Sequence, residues 1–265
     1  MSRFPDLPRR VSFAVGVCLF LLATGASAEE ITVMSSGGFT AALRELAPKF
    51  EQASGHHVHI VLGPSMGTAP EAIPNRLQRG EAADLLIMVG YALDNLGKSG
   101  VVDPASIVPL ANSKIALAVK EGRTKPDIHT LEAFKQTLLA ARSIAYSDSA
   151  SGVYIEKEMY RKLGLEEQLK GKSRMIVADP VGGVVARGEV DLGFQQVSEL
   201  LPVKGIQLVG AIPDEVQKVT VFSAGIPTTS HAPAVAKQFL AYLVSVDARS
   251  TVEKTGLEPI GAAPR

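Results

Sequence analysis

The sequence predicts an α/β protein of two lobes, with mostly parallel sheets covered by helices on both faces and a ligand cleft between the lobes. Three observations predict it. Short apolar, β-branched runs alternate with helical patterns from end to end, as they do when strands are joined by crossover helices. Turns rich in Gly and Ser recur directly after strands, where ligands bind in such sheets. Two strands, near Ile115 to Val119 and Val219 to Ala224, bracket the middle series, so that a second lobe is expected as an insertion in a discontinuous first one that hinges around its ligand.

In chain order, Glu30 to Met34 reads as a buried strand. The turn at Gly37-Gly38 then opens a helix to about Ser54, with Leu43, Leu46, Ala47 and Phe50 at helical spacing and Gly55 as its stop. His57 to Leu62 alternates as a strand. A helix is expected over Glu71 to Arg79, ended by Gly80, then a strand at Leu85 to Val89 and a short helix over Tyr91 to Gly97. The second series runs strand Ile115 to Val119, helix Leu131 to Leu139, strand Ser143 to Tyr146 and helix Gly152 to Leu163 capped by Gly164. It continues with strand Arg174 to Val177, helix Val181 to Arg187, and strands at Leu192 to Gln195 and Ile206 to Val209. Strand Val219 to Ala224 and a closing helix over Pro233 to Ser245 finish the pattern.

The N-terminus reads as an export signal. Arg3, Arg9 and Arg10 precede an apolar run from Val11 to Thr24, and Ala26-Ser27-Ala28 has the small-residue pattern of a cleavage site. The run falls short of the roughly 20 apolar residues a membrane span needs. The mature chain is therefore expected to begin near Glu29 in the periplasm; Arg9-Arg10 leaves the general and twin-arginine export routes both open. The single cysteine, Cys18, lies inside this segment, so no thiol, disulfide or cysteine metal site is expected in the mature protein. Residues 1–28 are thus read as signal, 29–112 with 222–265 as lobe 1, and 113–221 as lobe 2.

Lys plus Arg and Asp plus Glu both total 27, so no bulk field draws in nucleic acid or an acidic membrane. Aromatic residues are sparse and Trp is absent, which argues against stacking platforms for bases or sugars. The expected partner is a small anion, and the expected state a monomer without cofactor or metal. His56, His57 and His59 resemble a metal cluster, but His56 points to the opposite face of a strand from the other two, and the reading favoured is a solvated strand end.

Three loops carry the chemistry. Met34-Ser35-Ser36-Gly37-Gly38-Phe39-Thr40 follows the first strand and opens a helix, where free N–H groups and the helix dipole favour an anion. The plain alternative for Ser36 is N-capping. Gly63-Pro64-Ser65-Met66-Gly67-Thr68 repeats the arrangement after the second strand, and Ser147-Asp148-Ser149-Ala150-Ser151-Gly152 repeats it in the expected second lobe. Each alone is compatible with turn chemistry, but three in the same relative place point to a site.

These loops resemble those of the molybdate-binding-like branch of the periplasmic type II solute-binding proteins. The resemblance covers essentially the whole mature chain. It rests on Ser35-Ser36, the Ser65 loop, Arg79-Gly80-Glu81-Ala82-Ala83-Asp84, Ala150-Ser151-Gly152-Val153-Tyr154, Gly188-Glu189-Val190-Asp191-Leu192-Gly193 and Phe239-Leu240-Ala241-Tyr242-Leu243. It implies a ligand held by Ser36, Ser65 and Ser151 and, where the family carries a tyrosine, by Gln196. Ser35, Gly37, Met66, Ser149 and Gln195 are expected beside them.

Gln196 is a departure, as are Tyr91 and the lengthened segment that carries Pro70, Pro74, Asn75 and Arg76. A tetrahedral oxyanion held by neutral donors needs neither arginine nor much room, so these residues point to a larger ligand with several carboxylates. With Ile73-Pro74-Asn75-Arg76-Leu77, the pattern is similar to a subgroup containing aconitate isomerases. That implies an allylic proton shift between trans- and cis-aconitate, with a positioned base and donors for the developing charge. Arg76 is the expected donor beside Ser36 and Ser65, and Tyr91 or Tyr154 the expected proton carrier; the base itself is left unassigned. Two functions stay open at this point. One is this isomerase, and the other is a receptor that delivers an oxyanion or carboxylate to an inner-membrane transporter, because one fold serves both.

Overall fold

The computed structural model describes residues 28–177 and 179–260; the signal segment before Ala28, with Cys18, lies outside the described residues. The chain opens with β1 (Glu30–Ser35), α1 (Gly37–Ser54), β2 (His57–Leu62), α2 (Ile73–Gln78), β3 (Leu85–Val89), α3 (Gly90–Lys98) and β4 (Val108–Ser113). After Lys114 it runs through β5 (Ile115–Lys120), α4 (Leu131–Ala140), β6 (Ile144–Ser147) and α5 (Ala150–Tyr154). A π turn over Ile155–Met159 joins α5 to α6 (Tyr160–Leu163), and α7 (Glu166–Lys170) follows. Then come β7 (Ser173–Ile176), α8 (Val181–Arg187), β8 (Leu192–Gln196), α9 (Val197–Leu200) and β9 (Ile206–Ala211). The chain closes with β10 (Thr220–Gly225), α10 (Pro233–Leu243), α11 (Val246–Lys254) and β11 (Glu258–Pro259).

Two sheets result, ordered β11-β4-β10-β3-β1-β2 and β7-β6-β8-β5-β9. They are mixed rather than mostly parallel. β1 pairs in parallel with β2 and β3, and β6 with β7 and β8, whereas β10, β11 and β5 run antiparallel to their neighbours. The antiparallel strands are those beside the passages between the sheets. There the chain changes sheet directly, with only Lys114 between β4 and β5, and needs no crossover helix.

Each sheet is covered on both faces, which is why β3 (Leu-Leu-Ile-Met-Val) and β8 are buried along their whole length. Leu43, Leu46, Ala47 and Phe50 of α1 pack with Phe239 and Leu243 of α10 on one face of the first sheet; Ile73, Met88 and Leu93 fill the other. Full burial of each large side chain contributes roughly 1.5–3 kcal/mol. Gly55 ends α1 at φ 76°, donating its N–H to the Glu51 carbonyl.

Besides the short α7, α9 and β11 and the π turn after α5, which the sequence pattern does not show, three elements differ from it. β4 was not expected, because Pro109, Asn112 and Ser113 interrupt its apolar run; pairing with β10 and β11 makes the strand. The helix expected from Glu71 begins at Ile73, with Pro74 in its first turn. Ser245 does not end the closing helix, since its hydroxyl accepts from the Ala248 N–H and caps a further one, α11. The three histidines do not converge. His56 is buried and its Nδ1 accepts from the Glu29 N–H at 3.2 Å, while His57 and His59 are exposed.

Two aspartates tie strand starts to their surroundings. Asp84, ahead of β3, accepts from the N–H groups of Thr32, His231 and Ala232 and from the Ser230 hydroxyl, at 2.8–3.1 Å. Burial pushes its carboxyl up, but those four hydrogen bonds outweigh it and hold the pKa below the ordinary value. Asp191, ahead of β8, meets Arg142 at 3.0 Å and Arg123 at 2.6 Å, and the Arg142 hydrogen bonds lead in holding it well below the usual carboxylate range.

Candidate functional site

The carboxyl ends of β1, β2 and β3 face those of β6 and β8 across a cavity of about 530 Å³, within the range of small-molecule sites. Its walls are the three loops picked out from the sequence, joined by Asp179-Pro180, Gln195, Gln196, Glu199 and Phe222. The first residues of α1 and α5 and the caps of α8 and α9 (Pro180 and Gln196) all border it. Unpaired N–H groups at helix starts carry roughly half a positive charge per helix, so the backbone turns donors toward the cavity, on a wall that also holds Glu71, Asp148, Asp179 and Glu199. Among the described lining residues there is no Lys, Arg or His.

Ser36 stands at the N-cap position of α1 in extended conformation, yet its side chain makes no capping bond. Its hydroxyl is buried and has no hydrogen-bond partner, alone in this among the described residues. A group left so is costly unless a ligand completes it. Ser65 is also buried on the cavity wall; its Oγ accepts from the Val89 N–H at 2.9 Å, which leaves its own O–H free to donate. Gly37 has no room for a Cβ, which would land on the Glu199 carboxyl. In the second lobe the hydroxyls satisfy one another: Ser147 to Ser149 at 2.6 Å and Ser149 to Ser151 at 3.3 Å.

Gln195 and Gln196 both line the cavity. Gln196 also accepts from the Ser113 hydroxyl at 2.8 Å and donates to Thr220 Oγ1 at 3.2 Å, and so holds together the two strands by which the chain changes sheet. Ser35 and Ser151 are buried and do not line this wall: the Ser35 hydroxyl is spent on the Ser36 carbonyl, and Ser151 borders a neighbouring cavity.

The residues expected to do chemistry are not brought to this wall. Arg76 stands outside it, with its guanidinium given to Glu81 at 2.6 Å and to the Glu71 carbonyl at 3.1 Å. With Asn75, which donates to the carbonyls of Gly67 and Ala69, it braces the lengthened loop from inside. Tyr91 is half exposed and contacts Met66 Sδ at 3.3 Å, and neither residue reaches the main cavity. Burial pushes the Tyr91 phenol up, away from service as a base. Tyr91 and Tyr154 line a neighbouring cavity of about 440 Å³ instead. The Tyr154 hydroxyl donates to the Val216 carbonyl at 2.8 Å and accepts from Lys162 Nζ at 3.4 Å, and the ammonium groups of Lys162 and Lys218 lie over its ring.

Sequence reasoning missed Glu199. It is the third residue of α9, and its carboxylate accepts from the Gln196 N–H, while the Gln196 side chain accepts in return from the Glu199 backbone. Burial pushes its carboxyl up to about 7, against the downward pull of the hydrogen bonds from the Gln196 backbone and the Gln195 side chain. The three-residue spacing is that of a capping box, but Gln is not an ordinary cap residue and the pattern drew no notice. The arrangement as a whole offers donors for an anion beside a carboxyl that exchanges its proton near neutral pH.

Comparison with known proteins accords with this geometry. Residues 31–258 match the bacterial extracellular solute-binding protein family. Aconitate isomerase of a Pseudomonas species is 48% identical over 261 residues, covering 98% of this chain and all of that one. The molybdate-binding protein ModA of Escherichia coli is 26% identical over 257 residues, 92% of this chain and 95% of that one. In structure, the periplasmic molybdate-binding protein of Azotobacter vinelandii superposes with a TM-score of 0.71 at 22% identity, covering 89% of this chain and all of that one. The chain is therefore a member of the bacterial extracellular solute-binding protein family: a two-lobed periplasmic anion-binding protein of the molybdate-binding-like branch.

Proposed function

We propose that this protein is an aconitate isomerase, interconverting trans- and cis-aconitate in the periplasm on a solute-binding scaffold. One observation carries the reading: 48% identity to an enzyme of that name, over 98% of this chain and all of that one. The site is compatible with it. The cavity is larger than a tetrahedral oxyanion requires, and the helix starts with Ser36 and Ser65 offer several donors for carboxylates. The reaction moves one proton and one double bond. It needs charge stabilisation for a dienolate-like transition state, which fixed N–H and O–H donors supply.

The second reading, a receptor that hands an anion to an inner-membrane transporter, is favoured by a described lining without Lys, Arg or His and by the molybdate-binding relative. The test is to incubate the mature protein with trans-aconitate, follow cis-aconitate by chromatography, and titrate molybdate calorimetrically in parallel. Turnover supports the isomerase. Tight molybdate binding with aconitate left unchanged replaces it with the receptor.

A further inference from the structure

We propose that Glu199 is the base that carries the allylic proton, an assignment that rests on the isomerase reading. Three pieces of geometry support it. The carboxyl of Glu199 lies over the first turn of α1, in the space Gly37 leaves by having no side chain. It shares the cavity wall with the unpartnered Ser36 hydroxyl, so a substrate whose carboxylate is held by Ser36 occupies the same cavity as Glu199, with its methylene carbon free to face it. Its orientation is fixed by the Gln196 N–H and the Gln195 side chain, so that it does not swing freely.

Among the described residues, the elements that line the cavity around Glu199 bring it no cation. α1 presents Gly37 and Gly38, β8 presents Gln195 and Gln196, and β10 presents Phe222. The other titratable groups on the wall are Glu71, Asp148 and Asp179. Glu71 is exposed, Asp148 is partly exposed on its loop, and Asp179 is paired with Arg187 at 2.6 Å. Glu199 is the one that burial leaves protonating near neutral pH, as a base that must both take and return a proton requires.

The step balances. The Glu199 carboxylate removes one proton from the methylene carbon, and that C–H electron pair becomes the new carbon–carbon double bond. The old double-bond pair moves to the far alkene carbon, which takes the proton back from the carboxylic acid. One C–H bond breaks, one forms, and no oxidant or cofactor is consumed.

The experiment is Glu199→Gln in the full mature protein, with kcat, KM and solvent deuterium uptake measured on trans-aconitate. The expected result is a loss of about 10²- to 10⁴-fold in kcat with KM little changed, and no deuterium entering substrate or product. Glu199→Asp should recover part of the rate. In the wild type, kcat/KM should rise with pH through about 7, because the base must be ionised, and the substituted protein should lack that limb. Turnover of Glu199→Gln within tenfold of wild type overturns the assignment while leaving the isomerase reading intact. So does loss of turnover in Asp148→Asn with Glu199→Gln still active. If Glu199→Gln does not fold, a wild-type profile flat across neutral pH overturns it. A wild-type protein that leaves aconitate unchanged fails the isomerase reading itself, and the base assignment with it.

Discussion

Glu199 and Asp84 are both carboxylates drawn out of water, and their surroundings make opposite use of them. Asp84 accepts four hydrogen bonds, three from backbone N–H groups, and stays ionised below the ordinary carboxylate pKa. Glu199 has fewer donors and no cation, and burial pushes it up to about 7. Between them they show that the balance of burial against hydrogen-bond donors decides whether an inward carboxylate serves as a structural tie or as an exchangeable proton site.

The largest expected effect lies at the structural end. Asp84→Ala leaves Thr32, His231 and Ala232 N–H groups and the Ser230 hydroxyl without their acceptor, and should cost roughly 3–5 kcal/mol. At about 2–4 °C per kcal/mol, thermal melts should fall by roughly 10 °C. A loss under about 1 kcal/mol would break the contrast.

Next comes the ligand side. Ser36→Ala removes a hydroxyl that has no partner in the free protein, so stability should hold while anion binding weakens by about ten- to a hundred-fold, the worth of roughly 1.5–3 kcal/mol. Calorimetric titration with trans-aconitate and a melt of the same sample measure both. An unchanged affinity would mean that Ser36 faces no ligand.

The pH dependence of stability sharpens the comparison, because the two carboxylates have opposite signs. The raised pKa of Glu199 means the folded state keeps a proton that the unfolded chain has already lost. Its contribution is therefore present below about 4.5, falls as pH rises towards 7, and stays lost above that. Asp84 and Asp191 have lowered values, so their contribution is present above the ordinary carboxylate pKa and is lost as pH falls. Glu199→Gln should accordingly raise the melting temperature at pH 8 by a few degrees, an effect of about 1–3 kcal/mol, and change little at pH 4. Equal melting shifts at both pH values would show that Glu199 is not a strained carboxyl.

The smallest effect is expected at Arg76. Its partly exposed pair with Glu81 is screened by solvent, and its guanidinium is turned from the cavity, so Arg76→Ala should leave affinity within about twofold. A tenfold loss would show that Arg76 swings onto the bound ligand.

The sequence by itself determined most of the elements and the three donor loops. Apolar period, glycine stops and hydroxyl-rich turns are local signals, each written within a dozen residues, and Ser36 and Ser65 were legible because strand, turn and helix start follow one another directly. What tertiary structure decided is which of those groups remain free. Ser36 and Ser151 read alike in sequence, yet one is orphaned at the cavity while the other lies within a serine cluster and off that wall. Arg76, expected at the site, and Glu199, for which the sequence raised no expectation, took their places for the same reason. The Arg76 guanidinium found a carboxylate and a carbonyl on its own loop, whereas the Glu199 carboxyl was carried by α9 over the start of α1, more than a hundred residues away in sequence. β4 became a strand despite Pro109 because β10 and β11 lay on either side of it. Partners distant along the chain set the desolvation and the hydrogen-bond count of each group, and through those its pKa and its availability to a ligand.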